Sequence, residues 1–227
     1  MIDNTTSHPA SLYDKNITST IPYYQEIQEE ILAFIESIDI KPVSWLDTGC
    51  GTGTLVSRAL CRFPDTTFTI ADPSAEMLKQ AEIKLSHDRV RILGQCKTED
   101  LDTRTRFDII TAIQCHHYLD TETRKQAVEK CFSLLKQGGL YITSENIRPL
   151  SQEGERNGLL YWGKFQERAG KNCEEVKAHL ARFDKEYHPI TIPEHLDLYR
   201  AAGFEIVEIL WYSYMQCAFY AIKPRIR

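Results

Sequence analysis

Apolar runs and amphipathic stretches alternate along most of this chain, and the alternation predicts strands and helices in turn. Short apolar runs that predict strands lie at residues 43–46, 66–72, 90–93, 107–113 and 140–143. The run at 107–113 is apolar almost throughout, as expected of a central parallel strand buried on both faces. Strands that alternate with helices in this way predict an α/β fold around a parallel sheet.

Apolar residues at three- and four-residue spacing predict helices in the segments between these strands. Ser74 is placed to cap the helix that follows the second strand. A further helix is predicted at 122–136, with Gly138 and its neighbours ending it. Thr191 and Glu194 have the spacing of a capping box and predict the start of the last helix.

Three glycines at alternate positions follow the first predicted strand directly. Asp47 ends that strand, and Gly49, Gly51 and Gly53 lead into the next helix. Strand, glycine turn and helix together present backbone N–H groups and a helix N-terminus to a ligand, with no Cβ atom in the way. The third glycine comes two residues after the second, so the spacing is not that of a dinucleotide-binding fingerprint, and no phosphate-binding G-x-x-x-x-G-K sequence is present.

The pattern D-x-G-x-G-x-G, with Asp72 closing the next strand, resembles motif I of the class I S-adenosylmethionine-dependent methyltransferases. The resemblance implies an α/β, Rossmann-like, doubly wound fold with seven strands in a mostly parallel sheet. Segments 205–212 and 216–222 look like the antiparallel hairpin at the edge of that family's sheet.

The same resemblance implies one methyltransferase domain over residues 1–227. Residues 1–40 would form an N-terminal arm and helix. The segment at about 147–192 is longer than a connection between a strand and a helix requires. Because substrate caps often occupy this place in the family, we expect a helical cap insertion there.

The cofactor implied by the resemblance is S-adenosylmethionine. Asp47 can accept hydrogen bonds from a cationic amine, and Asp72 can accept them from ribose hydroxyls or instead cap the following helix. The register of the loop that meets the adenine amine stays open between Cys96 and the pair Glu99 and Asp100. The expected cofactor-binding residues are Tyr13, Asp47, Gly49, Cys50, Gly51, Gly53, Asp72, Pro73, Met77, Cys96, Glu99, Asp100 and Gln114.

His116 and His117 are the candidate catalytic residues. They follow the central strand at its carboxyl end, where open α/β sheets bind their ligands. A neutral imidazole there could take a proton from the methyl acceptor, although a packing role is the alternative. By alternation the two rings point in opposite directions, so one substitution should affect rate and the other folding. Tyr13, Tyr23 and Trp162 could shield a sulfonium, or could belong to the core.

Composition narrows the choice of partners. The chain has 227 residues and a net charge of -5, without a long basic run, which favours a small-molecule substrate over nucleic acid. Its seven scattered cysteines indicate a reducing, cytoplasmic location. The lack of a long apolar run indicates that no segment spans a membrane. We expect a monomer or a homodimer. His179, His188 and His195 do not have the spacing of metal ligands, so no metal is expected.

Two other functions stay open. Ile21-Pro22-Tyr23-Tyr24 and the hairpin at 211–223 also resemble the enzyme that makes carboxy-S-adenosylmethionine for tRNA wobble uridines. That tRNA-modification family uses the cofactor as acceptor and holds the added carboxylate with an arginine, for which Arg182 and Arg200 are candidates. A non-catalytic, cofactor-binding partner subunit is the third possibility, favoured if Trp162 or the hairpin forms an exposed apolar patch.

Overall fold

The computed structural model describes residues 6, 8–38 and 40–225 of the chain. A seven-stranded sheet has the strand order β3-β2-β1-β4-β5-β7-β6. Strands β1 to β5 are parallel to one another, and β7 is antiparallel to both β5 and β6. The strands are β1 Ser44–Thr48, β2 Thr67–Asp72, β3 Val90–Gln95, β4 Phe107–Ile113, β5 Leu135–Asn146, β6 Ile206–Ser213 and β7 Gln216–Ile222. The predicted α/β, doubly wound fold with its antiparallel edge hairpin is confirmed.

The direction of winding reverses between β1 and β4, which lie side by side at the centre of the sheet. Chain crossovers lead away from this point on both sides, so their connecting loops separate and leave a crevice at the carboxyl ends of the two strands. The glycine loop after β1 and the histidine pair after β4 therefore meet at one edge of the sheet.

Helices cover both faces of the sheet. Trp45 on β1 packs on the face that also buries Ile31 and Val56, while Leu46 faces the opposite layer with Val128. This alternation follows from the two-residue period of a strand. The α-helices are α1 Tyr13–Asn16, α2 Tyr24–Ser37, α3 Thr54–Arg62, α4 Ala75–Lys84, α5 Thr121–Leu134, α6 Gln152–Arg168, α7 Cys173–Leu180 and α8 Ile192–Ala201.

The helix starts agree with the predicted caps, and one helix end does not. Ser74 Oγ accepts the Met77 N–H at 3.1 Å, and Thr191 forms the predicted capping box that opens α8. Helix α5, however, ends at Leu134, and the chain enters β5 at once, so the predicted glycine end at Gly138 was wrong. The Gly138 N–H instead donates to the carbonyl of Lys223 at 3.1 Å, tying β5 to the end of β7.

The segment between β5 and α8 carries α6 and α7, which pack against the N-terminal residues. Trp162 on α6 is fully buried, and its Nε1–H donates to the Thr20 carbonyl at 2.7 Å. Tyr187 and Phe183 join Trp162 in a hydrophobic cluster with Ile17 from the N-terminal arm. The two segments thus support one another at the same edge of the sheet as the crevice.

Gly53 fixes how closely α3 approaches α4, because a Cβ atom built on it would lie 2.5 Å from Leu85 Cδ1. Both Gly53 and Gly51 have positive φ, +75° and +54°, but a Cβ on Gly51 would meet nothing within 4 Å. We expect both alanine variants to share the backbone cost of about 1–2 kcal/mol. Gly53→Ala should lose about 1–3 kcal/mol more of unfolding free energy, because it overpacks the buried Leu85.

Urea denaturation of the two variants measures this difference. In a Leu85→Ala background the extra cost of Gly53→Ala should disappear, since the double-mutant cycle removes the clash. Equal losses for Gly51→Ala and Gly53→Ala in the wild-type background would contradict the packing role.

Candidate active site

A cavity of about 470 Å³ occupies the crevice at the carboxyl ends of β1 and β4. Its wall combines the glycine loop, the end of β2, the loop after β3, the turn after β4 and the N-terminal arm. Of the expected cofactor-binding residues, those in this wall are Tyr13, Asp47, Gly49, Cys50, Gly51, Asp72, Pro73, Met77, Glu99 and Gln114. Three others, Gly53, Cys96 and Asp100, lie outside it.

Asp47 is held by a buried relay of hydrogen bonds from the neighbouring strand. Trp45 Nε1–H donates to Thr111 Oγ1 at 2.9 Å, and the Thr111 hydroxyl donates to Asp47 Oδ1 at 2.6 Å. Burial and the nearby charge of Asp72 raise the pKa of Asp47 to about 7, against the opposing effect of the Thr111 hydrogen bond. A carboxyl group with this pKa gains strongly from a cation placed beside it.

Asp72 is oriented by backbone N–H groups on two sides. Its Oδ2 accepts the Gly51 N–H and its Oδ1 accepts the Ser74 N–H, both at 2.8 Å. The capping role belongs to Ser74, whose own hydroxyl accepts the Met77 N–H. Asp72 therefore connects the glycine loop to the start of α4 and presents a fixed carboxylate to the cavity.

The loop after β3 contributes Lys97, Thr98 and Glu99 to the wall. Glu99 Oε2 is buried and has no hydrogen-bond partner among the described residues. A buried acceptor without a partner is costly unless a ligand supplies the donor. Glu99 is thus placed to accept from an amino group at this end of the cavity, while Cys96 and Asp100 are not.

The N-terminal arm is fastened over the glycine loop by Asp14. Its carboxylate accepts hydrogen bonds from Thr52 Oγ1 and Lys84 Nζ, both at 2.6 Å. Lys84 also donates to Thr54 Oγ1 at 2.8 Å, so one network joins arm, loop and α4. Tyr13, beside Asp14, consequently lies in the cavity wall.

The other two aromatic candidates for shielding a cation lie elsewhere. Tyr23 is 47% exposed and packs on Trp211 and Tyr214, away from the cavity wall. Trp162 belongs to the hydrophobic cluster with Ile17 and Tyr187 and is not part of the cavity wall.

The chain turns sharply after β4. Gln114 has φ +55°, a conformation that side chains other than glycine rarely adopt, and its N–H donates to the Ser144 carbonyl at 2.7 Å. A 3-10 turn at His116–Tyr118 follows. Strain of this kind persists only where the surroundings fix it, and it often accompanies functional sites.

His116 uses both ring nitrogens in contacts within the protein. Nε2 lies 3.1 Å from Thr98 Oγ1, and Nδ1 lies 3.2 Å from the Tyr141 hydroxyl. Burial lowers the pKa of His116 to about 4, so the ring is neutral at pH 7. These bonds tie the turn after β4 to the loop after β3 and to β5.

His117 faces a different carboxylate. Glu145 Oε2 accepts the backbone N–H of His117 at 2.8 Å and lies 3.1 Å from its Nδ1. The Thr143 hydroxyl donates to the other carboxylate oxygen. Burial raises the pKa of Glu145, but the hydrogen bond with His117 opposes it, and the pKa of Glu145 is lowered to about 2. Burial also lowers the pKa of His117, which leaves an ionised Glu145 beside a neutral imidazole near pH 7.

The His117 ring lines a second, smaller cavity that adjoins the first. Tyr13, Gln114 and Tyr118 contribute to the walls of both. With Nδ1 held by Glu145, Nε2 is the ring nitrogen left to meet a ligand. Both histidines were candidates from the sequence. In the structure His116 contacts two hydroxyl groups, whereas His117 contacts the carboxylate of Glu145.

Glu145 and Arg124 carry no motif and were not foreseen. Arg124 is buried on α5, where Nε donates to the His116 carbonyl at 3.1 Å and Nη2 to the Leu119 carbonyl at 2.9 Å. It also donates to the His188 carbonyl. Arg124 therefore positions the histidine turn against the segment after α7.

The two candidate arginines lie in different places. Arg200 is exposed on α8 and pairs with Asp197 at 3.2 Å. Arg182 is buried beside the smaller cavity, where Nε donates to Glu186 at 2.7 Å and the guanidinium lies 5.4 Å from the Tyr187 ring centre.

Within residues 6, 8–38 and 40–225, no group of three His, Cys, Asp or Glu side chains could hold a metal ion. In the same ranges, none of the helices is long and apolar enough to span a membrane.

Comparison with known proteins extends these observations. Residues 46–141 match the family model described as a methyltransferase domain. The carboxy-S-adenosyl-L-methionine synthase of Campylobacter lari is 21% identical over 88% of this chain and 85% of its own length. The malonyl-[acyl-carrier protein] O-methyltransferase of Geobacter sulfurreducens is 27% identical over 73% of this chain and 68% of its own.

Solved structures agree on the fold. The plantazolicin methyltransferase BpumL, solved with a triazolic desmethylPZN analog and SAH, has a TM-score of 0.72 at 16% identity. The match covers 95% of this chain and 90% of that enzyme. The putative O-methyltransferase of Nostoc punctiforme and an O-methyltransferase family protein of Burkholderia thailandensis are longer chains, of which this one spans 61% and 57%.

The cavity, the partial sequence match and the fold are each similar to those of the S-adenosylmethionine-dependent methyltransferase family. The cavity suits S-adenosylmethionine, which is the cofactor of this family. Asp47 is a carboxylate suited to a cation, Asp72 is one suited to hydroxyl groups, and Glu99 Oε2 is a buried acceptor suited to an amine. The methyltransferase match covers the part of the chain that builds most of this cavity. The chain is therefore similar to methyltransferases over residues 46–141, and its fold is the one found in S-adenosylmethionine-dependent methyltransferases.

Proposed function

We propose that the chain transfers the methyl group of S-adenosylmethionine to a small-molecule acceptor that lies against His117. The observation that carries the proposal is His117, which lines the smaller cavity next to the cofactor cavity and whose Nδ1 lies 3.1 Å from the buried Glu145 carboxylate behind it. A histidine held by a buried carboxylate is suited to take a proton from an acceptor O–H, N–H or S–H group.

S-adenosylmethionine, when bound, supplies an electrophilic methyl group on a sulfonium. The protein's own work is to position two reactants and to move one proton. His117 Nε2 accepts that proton from the acceptor. Glu145 keeps the ring in the tautomer with Nδ1–H and stabilises the imidazolium that forms.

Each end of the cofactor has an assigned partner in this proposal. Asp47 accepts from the amine of the methionine part, Asp72 from the ribose hydroxyls and Glu99 from the adenine amine. The short backbone contacts to Asp72 and the unpartnered Glu99 Oε2 support these roles. Tyr13 covers the cofactor from the arm that Asp14 fastens.

The segment at about 147–192 would form the cap that chooses the acceptor, within one methyltransferase domain. Its support is that His179, Arg182 and Tyr187, all from this segment, line the smaller cavity beside His117. All seven cysteines are free thiols, which supports a cytoplasmic location.

A second candidate function is the synthesis of carboxy-S-adenosylmethionine, in which the cofactor itself is the acceptor. Seven of the eight curated relatives compared carry that name, at 21% to 26% identity. Of the two candidate arginines, the buried Arg182 adjoins the smaller cavity and could hold a carboxylate, whereas Arg200 is on the surface. A non-catalytic partner subunit finds less support, because Trp162 is buried, although Ile206, Ile209 and Tyr212 are exposed on β6.

Mass spectrometry of ligand released from freshly purified protein distinguishes the two enzyme functions. We expect S-adenosylmethionine or its demethylated product, because methyl transfer uses only the cofactor's own methyl group and adds no carboxylate to the cofactor. A cofactor heavier by a carboxylate would instead establish the second candidate. Arg182→Gln, measured alongside, should lose only the carboxylated form.

Cofactor affinity should depend on pH through Asp47. Its pKa is raised to about 7 in the free protein, and a bound cation favours the ionised form, so binding releases a proton below that pH. The dissociation constant should therefore fall about tenfold between pH 6 and pH 8. Calorimetry of Asp47→Asn supplies the control, in which affinity is weaker and this part of the pH dependence is gone. An identical pH profile in both proteins would contradict the assignment.

His117→Ala should lower kcat by about 10²–10⁴ while leaving cofactor affinity nearly unchanged. Only the neutral imidazole accepts a proton, so the wild-type rate should decline on the acidic side, with an apparent pKa below 6.5. Glu145 raises the pKa of His117, so Glu145→Gln should move this acidic limb to lower pH and reduce the plateau rate.

His116→Ala is the matched control. It removes the contact of the buried Tyr141 hydroxyl with His116, at a cost of about 1–3 kcal/mol, and one of the two contacts of Thr98, whose hydroxyl still lies 2.8 Å from Thr48 Oγ1, so it should lower the melting temperature. Its pH–rate profile should keep the wild-type shape. If the two alanine variants have the same rate as wild type, methyl transfer relies on positioning alone and the proposed base is wrong.

A further inference from the structure

A third cavity, of about 670 Å³, lies on the outer side of the smaller one. Four basic side chains from separate parts of the chain line it: His8 from the arm, Lys171 from the loop after α6, His179 from α7, and Arg182. His179 and Arg182 line the smaller cavity as well. A continuous wall therefore leads from His117, next to the cofactor cavity, to Lys171.

The basic groups are held in place by neutral side chains. Lys171 Nζ donates to Thr20 Oγ1 at 2.6 Å, and His8 Nε2 lies 2.8 Å from the same hydroxyl oxygen. Gln166 bridges to the other side, since its amide nitrogen is 2.9 Å from His179 Nδ1 and its oxygen is 3.4 Å from Lys171 Nζ. The amide N–H donates to Nδ1, so the proton of the neutral His179 ring is on Nε2.

Acidic side chains compensate this cluster only in part. In the described ranges no carboxylate oxygen lies within 4.0 Å of Lys171 Nζ. Glu186 pairs with Arg182 but is itself 56% exposed at its side chain. Glu175 uses its carboxylate to accept the Asn172 N–H at 2.8 Å. Burial lowers the pKa of Lys171; the charge of Glu175 opposes this effect, and the charge of Arg182 adds to it more weakly.

The two histidines respond to the same environment. Burial, followed by the charges of Lys171 and Arg182, lowers the pKa of His8 to about 4 and that of His179 to about 3. Both rings are therefore neutral donors at pH 7. Lys171 and Arg182 supply the positive charge of the cavity, whose wall also contains the carboxylates of Glu175 and Glu186. Glu186 is already paired with Arg182, so an anion in the cavity would give Lys171 the close negative partner that the described residues do not provide.

We propose that this outer cavity binds an oxyanion group, a carboxylate or a phosphate, at the end of the acceptor farthest from its reacting atom. The inference rests on the proposed function, because it places the reacting atom of the acceptor at His117. Lys171 Nζ, the Arg182 guanidinium and His179 Nε2–H are all hydrogen-bond donors, which is what an oxyanion requires. The substrate class is thus a small acceptor with an anionic group remote from its nucleophile.

Calorimetric titration with inorganic phosphate and, separately, with acetate tests the site without any need for turnover. The wild-type protein is compared with Lys171→Gln and with Lys177→Gln. Lys177 is the matched control because its removal changes the charge equally, yet it is exposed on α7 and pairs with Glu174. Ionic strength is held constant in all titrations, since exposed charges are screened by salt.

Lys171→Gln should raise the dissociation constant of the better-bound anion at least about tenfold, and Lys177→Gln should leave it unchanged. Whichever of phosphate and acetate binds more tightly identifies the group on the acceptor. Equal affinity in all three proteins, or an equal loss in both variants, would overturn the proposal. So would the absence of measurable binding of either anion to the wild type.

Cofactor titration of the same three proteins shows whether each is folded and keeps its methyl-donor site. Suppose that anion binding depends on Lys171 but His117→Ala leaves the rate unchanged. The anion site is then supported, and the proposed base is wrong. Loss of rate in His117→Ala with no anion binding by any of the three proteins would mean the reverse. The two proposals can therefore fail separately.

Discussion

Three carboxylates are buried at the carboxyl edge of this sheet, and the arrangement of the site follows from the need to give each one hydrogen-bond donors. An ionised group without donors would cost several kcal/mol there. Asp47 receives the Thr111 hydroxyl, Asp72 receives two backbone N–H groups and Glu145 receives the His117 N–H and the Thr143 hydroxyl. Each bond also fixes an orientation, so the groups that would meet ligand are positioned before any ligand arrives.

The backbone at this edge accepts unfavourable conformations so that these donors can converge. Gly51 turns with φ +54° and brings its N–H to Asp72, and Gln114 adopts φ +55° without the freedom of a glycine. Helices on both faces hold the strands that carry these turns. The stable part of the molecule therefore supports the strain of the part that would bind ligand.

Closure of the site comes from segments distant in sequence. The N-terminal arm is fastened by Asp14 to the glycine loop, and the helices after β5 pack on that arm through Trp162. Arg124 then connects the histidine turn to the same helical segment. The helical segment after β5 is therefore linked by hydrogen bonds to the arm and, through Arg124, to the turn that carries His117.

The sequence by itself determined the fold class, most of the elements and the cofactor loop, because these depend on local periodicity, caps and glycine spacing. Asp72 and the capping box at Thr191 could be identified in this way. Only the tertiary structure decided that His117, and not His116, faces a carboxylate, since Glu145 lies 28 residues along the chain on another strand. It also decided that α5 ends before Gly138, whose N–H bonds to the chain's last strand. Periodicity records which face a residue takes, whereas partners from distant segments become neighbours only when the sheet assembles.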